Sequence, residues 1–319
     1  MRRTLALILC FALSAAAGTA GAQDYPRKPV RVVVPGAPGS TPDVLARLWT
    51  QRLAEVMNAT FLIDNKPGAG GTLGTNQAMK SPADGYTLLF GYQAAVTVTP
   101  ALYPDLPYKP ETDMAPISLL ARSCYALVTQ KDNPVDTLPQ LIELLKREGG
   151  KTAIASTGNG SGGHLFLEML TGETGTHFTH VPYKSSPMND VVGGQVPFAV
   201  DGMGAAVPMI KAGRIKALAV SSPQRLSQLP NVPAAAEVVP GAVNCGWLAM
   251  WAPAGTPQDI ITKVHAGLMQ VAATPRVRSR TEELTMDIIA GTPAELAATV
   301  KHEIAVYSAI VRSRDIKLQ

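Results

Sequence analysis

Charge is scarce in this sequence. Asp, Glu, Lys and Arg together make up 16% of the 319 residues, and no stripe of lysine or arginine appears anywhere. That argues against a nucleic-acid surface. There is no H-E-x-x-H, no C-x-x-C and no histidine cluster, and His302-Glu303 has no second histidine at ligand spacing, so no metal centre is expected. No Walker A pattern occurs, and no repeat of solenoid period is present. Long apolar runs are missing too, except at the start. There, Met1-Arg2-Arg3 precedes an apolar stretch that ends in the small-residue site Ala20-Gly21-Ala22. This is the pattern of a secretory signal peptide, too short and wrongly flanked for a permanent span. Cleavage is expected after Ala22. The leader carries two of the 28 basic residues and no acidic one, so the remaining chain is nearly neutral, at about +2. Cys10 lies in the leader and follows Leu9 rather than a small residue, which discounts a lipid anchor. Cys124 and Cys245 remain. In an exported chain such a pair is as readily bonded as left as two buried thiols.

What the sequence does have is a recurring unit of strand, small-residue loop and helix. The clearest copy runs from Val30 to Met57. A β-branched run, Val30–Val34, leads into Pro35-Gly36-Ala37-Pro38-Gly39-Ser40. A helix is expected next, with Thr41 as N-cap, Pro42 in the first turn, Asp43 favoured by the helix dipole, and Leu45, Leu48, Trp49, Leu53 and Val56 on one face. Main-chain N–H groups at such a helix start can hold an anion without a lysine or arginine. Many βα turns bind nothing, but a second copy appears later: a strand at 152–156, the glycine-rich loop 157–163, and a helix beginning at His164.

Between and beyond these units, strands are expected near 60–64, 86–90, 178–182, 196–200, 215–220 and 245–251. Residues 117–129 look like one extended path through Cys124. Residues 100–116 look like a surface loop. A helix capped by Asp136 or Thr137 should end at Gly149-Gly150, and three helices should close the chain at 257–273, 275–284 and 293–312. Strands alternating with helices in this way indicate an α/β protein with mostly parallel sheets. Ligands of such sheets sit beyond the strand C-termini, where the loops are.

Two enzyme signatures come close. Residues 158–163 fit G-x-G-x-x-G, but the next strand ends in Val181-Pro182-Tyr183-Lys184 without the acidic residue a dinucleotide ribose would require. Ser161 has Asn159 two positions before it, so G-x-S-x-G is not met. A hydrolase using Ser161 and His164 is the rival from a different class. The simpler expectation for His164 is a helix-start residue that hydrogen-bonds locally.

Several motifs, taken in order, carry a family resemblance. They are Tyr25-Pro26-Arg27-Lys28-Pro29-Val30, Val34-Pro35 with Ala37-Pro38-Gly39, Asn65-Lys66-Pro67-Gly68-Ala69-Gly70-Gly71, and Pro82-Ala83-Asp84-Gly85-Tyr86. His180-Val181-Pro182-Tyr183-Lys184, Gly193-Gly194-Gln195-Val196 and Ala252-Pro253-Ala254-Gly255-Thr256-Pro257 follow. With them, nearly the whole chain after the leader resembles the extracytoplasmic substrate-binding receptors of tripartite tricarboxylate transporters, the Bug family. The resemblance implies a periplasmic Venus-flytrap fold, type II-like, of two α/β lobes. One lobe would comprise residues 24–123 plus 246–319 and the other residues 124–245. The chain would then cross between lobes near Cys124 and near Cys245, which makes a disulfide there an implied feature.

The same resemblance implies the site. Pro38, Gly39, Ser40 and Thr41 would anchor a ligand carboxylate. Ser156, Thr157, Gly160, Ser161 and His164 would face them from the second lobe, and Gln93 and Ala94 would line the floor. Asp201 would reach in as an acceptor, although the residue reads equally well as a helix N-cap. Gly36, Ser40 and Ser185 depart from the usual pattern and bear on which ligand is bound. The implied protein is a monomer without cofactor or catalysis. It would bind a small organic carboxylate, a mono- or dicarboxylate rather than a triacid, with Tyr92 and Tyr183 leaving room for an aromatic acid. It would deliver this ligand to integral-membrane transporter subunits, or alternatively present its closed form to a signalling partner.

Overall fold

The computed structural model describes residues 25–103, 105–183 and 185–313. The expected leader, its cleavage point after Ala22 and Lys184 of the Tyr-Lys motif lie outside the described residues. Among the described residues no helix is long and apolar enough to cross a membrane.

The first unit sets the pattern. Strand β1 (Val30–Val34) is buried along nearly its whole length, which is why it shows a continuous β-branched run rather than alternation. It pairs in parallel with β2 (Phe61–Asn65) and β3 (Thr87–Tyr92). Between β1 and β2 runs α1 (Thr41–Met57), and between β2 and β3 runs α2 (Thr72–Met79). Helix α1 buries Leu45, Ala46, Trp49 and Leu53, each worth roughly 1.5–3 kcal/mol for the larger side chains. Val56 is turned to solvent instead of joining that face, in the last turn before the helix ends at Met57 and the left-handed Asn58. The N-cap is Ser40, one residue earlier than expected. Helix α1 packs closely on α9 (Gln258–Ala273): a methyl group on Gly267 would stand 2.7 Å from Leu53 Cδ1.

The segment expected as a surface loop holds two short helices, α3 (Thr99–Leu102) and α4 (Pro110–Asp113), before β4 begins. Strand β4 (Met114–Gln130) is the single extended path through Cys124. Its first part pairs antiparallel with β9 (Cys245–Pro253), and its last part lies between β7 (Phe198–Gly202) and β8 (Ile215–Val220). Helix α5 (Leu138–Glu148) follows, held by a capping box between Thr137 and Gln140 and stopped by Gly149 at φ 58°. The second strand–loop–helix unit is β5 (Ala153–Ser156) and α6 (Gly162–Thr174). Next come β6 (Thr179–Pro182) and α7 (Met188–Val192), and α8 (Met203–Lys211) follows β7. After β9 and α9, α10 (Pro275–Glu283), β10 (Asp287–Ile288) and the long α11 (Pro293–Ser313) close the described chain.

The strands run in the order β2-β1-β3-β9-β4-β7-β5-β6, with β8 and β10 attached to β4. The sheet is mixed. Among the described strands, parallel ladders join β1, β2 and β3 and join β5, β6 and β7, the strands that carry the loops, and a single parallel bridge joins Val220 to Ala234. Every pair that involves β4 or β9 is antiparallel. The mixed sheet thus has the expected parallel pairing on either side of these two antiparallel crossing strands.

At their meeting point Cys124 lies opposite Cys245, and the two are joined as a disulfide, with Cα atoms 4.1 Å apart. The apolar clusters divide at the same place. Two are built from residues before Cys124 and after Cys245, and two from residues between them. A small fifth cluster of Val98, Leu165 and Tyr307 joins α11 to α6.

Candidate functional site

The loop after β1 is held by Asp43. This buried carboxylate accepts from the Gly39 N–H at 2.8 Å, from Arg47 Nε at 3.1 Å and from Asn65 Nδ2 at 2.9 Å. Asn65 in turn donates to the Gly36 carbonyl at 3.1 Å. Burial alone would raise the Asp43 pKa, but the hydrogen bonds from Arg47, Gly39 and Asn65 outweigh it and hold the carboxyl below its ordinary value. Ser40 donates its hydroxyl to the Ala37 carbonyl at 2.6 Å, and its N–H goes to the same carbonyl at 3.1 Å. The expected anchor is thereby narrowed. Pro38 has no N–H, and those of Gly39 and Ser40 are already used. The N–H groups of Thr41 and Asp43 in the first turn of α1 are the ones without a partner among the described residues.

The facing loop is equally ordered. Ser161 is the N-cap of α6 and accepts from the His164 N–H at 3.2 Å. Gly160 and Gly158 both have positive φ, which lets the loop turn back on Ser156. Ser156 is fully buried, lies 3.3 Å from Ser161 Oγ and 2.7 Å from His180 Nε2, and donates to the Gly158 carbonyl. His164 Nδ1 accepts from the Gly160 N–H at 3.1 Å, and its ring stacks on His180 with centroids 3.8 Å apart. Burial, with His164 alongside, pushes the His180 pKa down to about 4. Ser161 thus meets the main-chain N–H of His164 and not its ring. His164 sits one turn into a helix that starts at Gly162, two residues earlier than expected. Thr157 is exposed at the loop's edge.

The remaining candidates are placed less simply. Gln93 turns its amide inward, reaching Tyr307 Oη at 2.7 Å, the Cys245 carbonyl at 3.0 Å and Glu303 Oε2 at 3.2 Å, so its side chain is engaged in the interior instead of lining a floor. Ala94 is exposed beside it. Asp201 is buried, which raises its pKa against the opposing hydrogen bonds from Ser186 and the Gly202 N–H. It does not cap α8, whose N-cap is Gly202.

A cavity of about 310 Å³ opens at the start of α1. Thr41, Pro42 and Tyr92 form one side and Gly204 of α8 stands on another; Tyr125, Gly246 and Trp247 on β4 and β9 contribute to the wall between. Among the described residues, none that lines it carries a charged side chain. Of the residues expected from sequence as the ligand set, Thr41 alone lines it. Tyr125 is not among them, since a tyrosine beside a cysteine in a strand gives no local sign of a cavity. A larger groove of about 830 Å³ lies outside α5, between Asn133, Glu143, Arg147 and Phe198, and neither loop reaches it. Among the described residues no group of histidine, cysteine and acidic side chains could hold a metal ion.

The model of the tripartite tricarboxylate transporter family receptor matches residues 45–316. The chain belongs to that family. Protein BugT of Bordetella pertussis is 33% identical to this receptor over 324 residues, covering all of this chain and 99% of BugT. MatC from Rhodopseudomonas palustris, solved with bound malate, is 30% identical, with a TM-score of 0.69 over 90% of this chain and all of that one. An R. palustris protein solved with adipate is 32% identical, with a TM-score of 0.72 over 92% of this chain and 99% of the other. The receptor thus has the two-lobed α/β fold of periplasmic binding proteins and is a solute-binding protein of the Bug type.

Proposed function

We propose that this receptor captures a small organic mono- or dicarboxylate between its two lobes and passes it to the integral-membrane subunits of a tripartite tricarboxylate-type transporter. It acts as a periplasmic monomer after loss of the leader at Ala22, and it performs no chemistry. The boundaries are residues 24–123 plus 246–319 for one lobe and 124–245 for the other; the division of the apolar clusters at the disulfide supports them.

The observation that carries this reading is the pair of N–H groups, on Thr41 and Asp43, without a partner among the described residues, at the start of a 17-residue helix beside a cavity that no described charged side chain lines. A helix N-terminus attracts an anion, and a small space lined by hydroxyl and apolar groups limits its size. The relatives solved with malate and adipate support the same class of ligand. Ser156, Thr157, Gly160, Ser161 and His164 form the facing wall that closes on the bound acid, because the anion meets both lobes only when the cleft is shut.

A thermal-shift screen of the purified protein against mono- and dicarboxylates, aromatic acids and amino acids tests this. A ligand at 100 times its dissociation constant stabilises by about 2.7 kcal/mol. A raised melting temperature with carboxylates alone is the expected result. Folded, ligand-free protein that shifts with no carboxylate overturns it.

A further inference from the structure

Five hydroxyl groups line the cavity at the start of α1, and four of them are accounted for. Tyr92 donates to the Gly70 carbonyl at 2.9 Å, Ser123 to the Thr285 carbonyl at 3.3 Å and Thr285 to the Leu284 carbonyl at 2.7 Å. Thr41 is exposed, so water can serve it. Tyr125 is partly buried, packs its ring against the apolar cluster under α5 and α6, and has no hydrogen-bond partner for its hydroxyl among the described residues. Unlike Thr41, it is carried on a ring fixed by packing, so the hydroxyl faces the cavity from a set position and is free to meet whatever enters.

Two glycines keep that hydroxyl bare. A methyl group on Gly162, at the start of α6, would overlap it, and one on Gly246 would stand 3.3 Å away. The group therefore sits where β4, β9 and the second loop meet, on the wall of the same cavity that the α1 N-terminus enters.

Resting on the carboxylate-binding reading above, we propose that Tyr125 is a specificity-determining residue of this site. Its hydroxyl donates to the second carboxylate of a dicarboxylate whose first carboxylate lies at the N-terminus of α1. A neutral O–H suits this role, because no cation among the described residues lines the cavity and an O–H···O⁻ bond is among the stronger kinds. The hydroxyl also stays protonated. Burial, with Glu303 and Asp201 nearby, pushes it up to about 12, so it remains a donor throughout the physiological range.

Isothermal titration of wild-type protein and Tyr125→Phe with matched acids, succinate against butyrate and adipate against hexanoate, tests this. The variant should bind the diacid about 10-fold more weakly and the monoacid unchanged, with the melting temperature of the unliganded protein preserved. Gly246→Ala, which screens the hydroxyl without touching the ring, should give the same selective loss should Tyr125→Phe fold poorly. Unchanged diacid binding, or an equal loss on both members of a pair, overturns the inference. Wild-type protein that binds monoacids but no diacid overturns it and leaves the carboxylate reading standing. Wild-type protein that binds no acid overturns both.

Discussion

Asp43 accepts the main-chain N–H of Gly39, four residues before it, and so closes the first loop onto the helix that follows. Asp43→Ala should cost about 1–3 kcal/mol, because the Gly39 N–H loses its acceptor while Asn65 and Arg47 keep other partners. The acid limb is specific as well. The folded pKa of Asp43 lies below its unfolded value of about 3.9, so its stabilisation is complete above that pH and is lost as pH falls through the lower folded value. Urea melts of wild type and Asp43→Asn between pH 2 and 6 should converge at the acid end.

His180 behaves in the related way at higher pH. Its folded pKa of about 4 lies below an unfolded value of about 6.5, so stability is complete above 6.5 and falls toward pH 4 as the unfolded chain takes up the proton. The ring is partly exposed, and about 1–2 kcal/mol is the expected loss once solvent screening is allowed for. His180→Gln should flatten this limb. A wild-type melting temperature that is level from pH 7 to 4.5 would refute it.

Glu303 carries the opposite sign. Burial raises its pKa, against hydrogen bonds from Trp247, Thr97 and Gln93. Its contribution is present below the unfolded pKa of about 4.3 and is lost as pH rises through the folded value. Glu303→Gln should therefore gain on wild type as pH increases from 4.5 to 8. Melting temperatures that keep a constant difference across this range would count against it.

The disulfide closes a loop with a sequence separation of 121. In the chain-entropy model its removal costs at most about 5 kcal/mol. Thiol titration of denatured, unreduced protein should find neither Cys124 nor Cys245 free, and reductant should lower the melting temperature. A Cys124→Ser, Cys245→Ser double variant should melt low with or without reductant.

Much of the fold is legible in the sequence because its signals are local. The β-branched run of β1, the capping pair Thr137 and Gln140, and the glycines closing α5 and opening the loop before α6 each act within a few residues. The positions of both loops follow from these. What stays hidden depends on contacts distant in sequence. Gln93 turns inward because its partners, Cys245 and Tyr307, lie 152 and 214 residues away. The antiparallel course of β9 depends on strands far back in the chain, and Tyr125 gains its meaning only from Gly162 and Gly246. Asp43 is legible by half for a smaller reason. A carboxylate in a first helical turn can serve the dipole or reach back to the loop, and sequence does not distinguish the two.

The Cα atoms of Cys124 and Cys245 are 4.1 Å apart. The residues between them therefore leave the rest of the chain and rejoin it at one spot, with their own apolar cores. Such a segment is an insertion with a closed neck. Exchanging it for that of a relative should leave β1, β3 and α1 in place, provided that the contacts of Leu165 with Val98 and Tyr307 and of Asn244 with Tyr307 are kept. Chimaeras cut at this pair of cysteines should consequently be the simplest way to graft one receptor's inserted segment onto the rest of another.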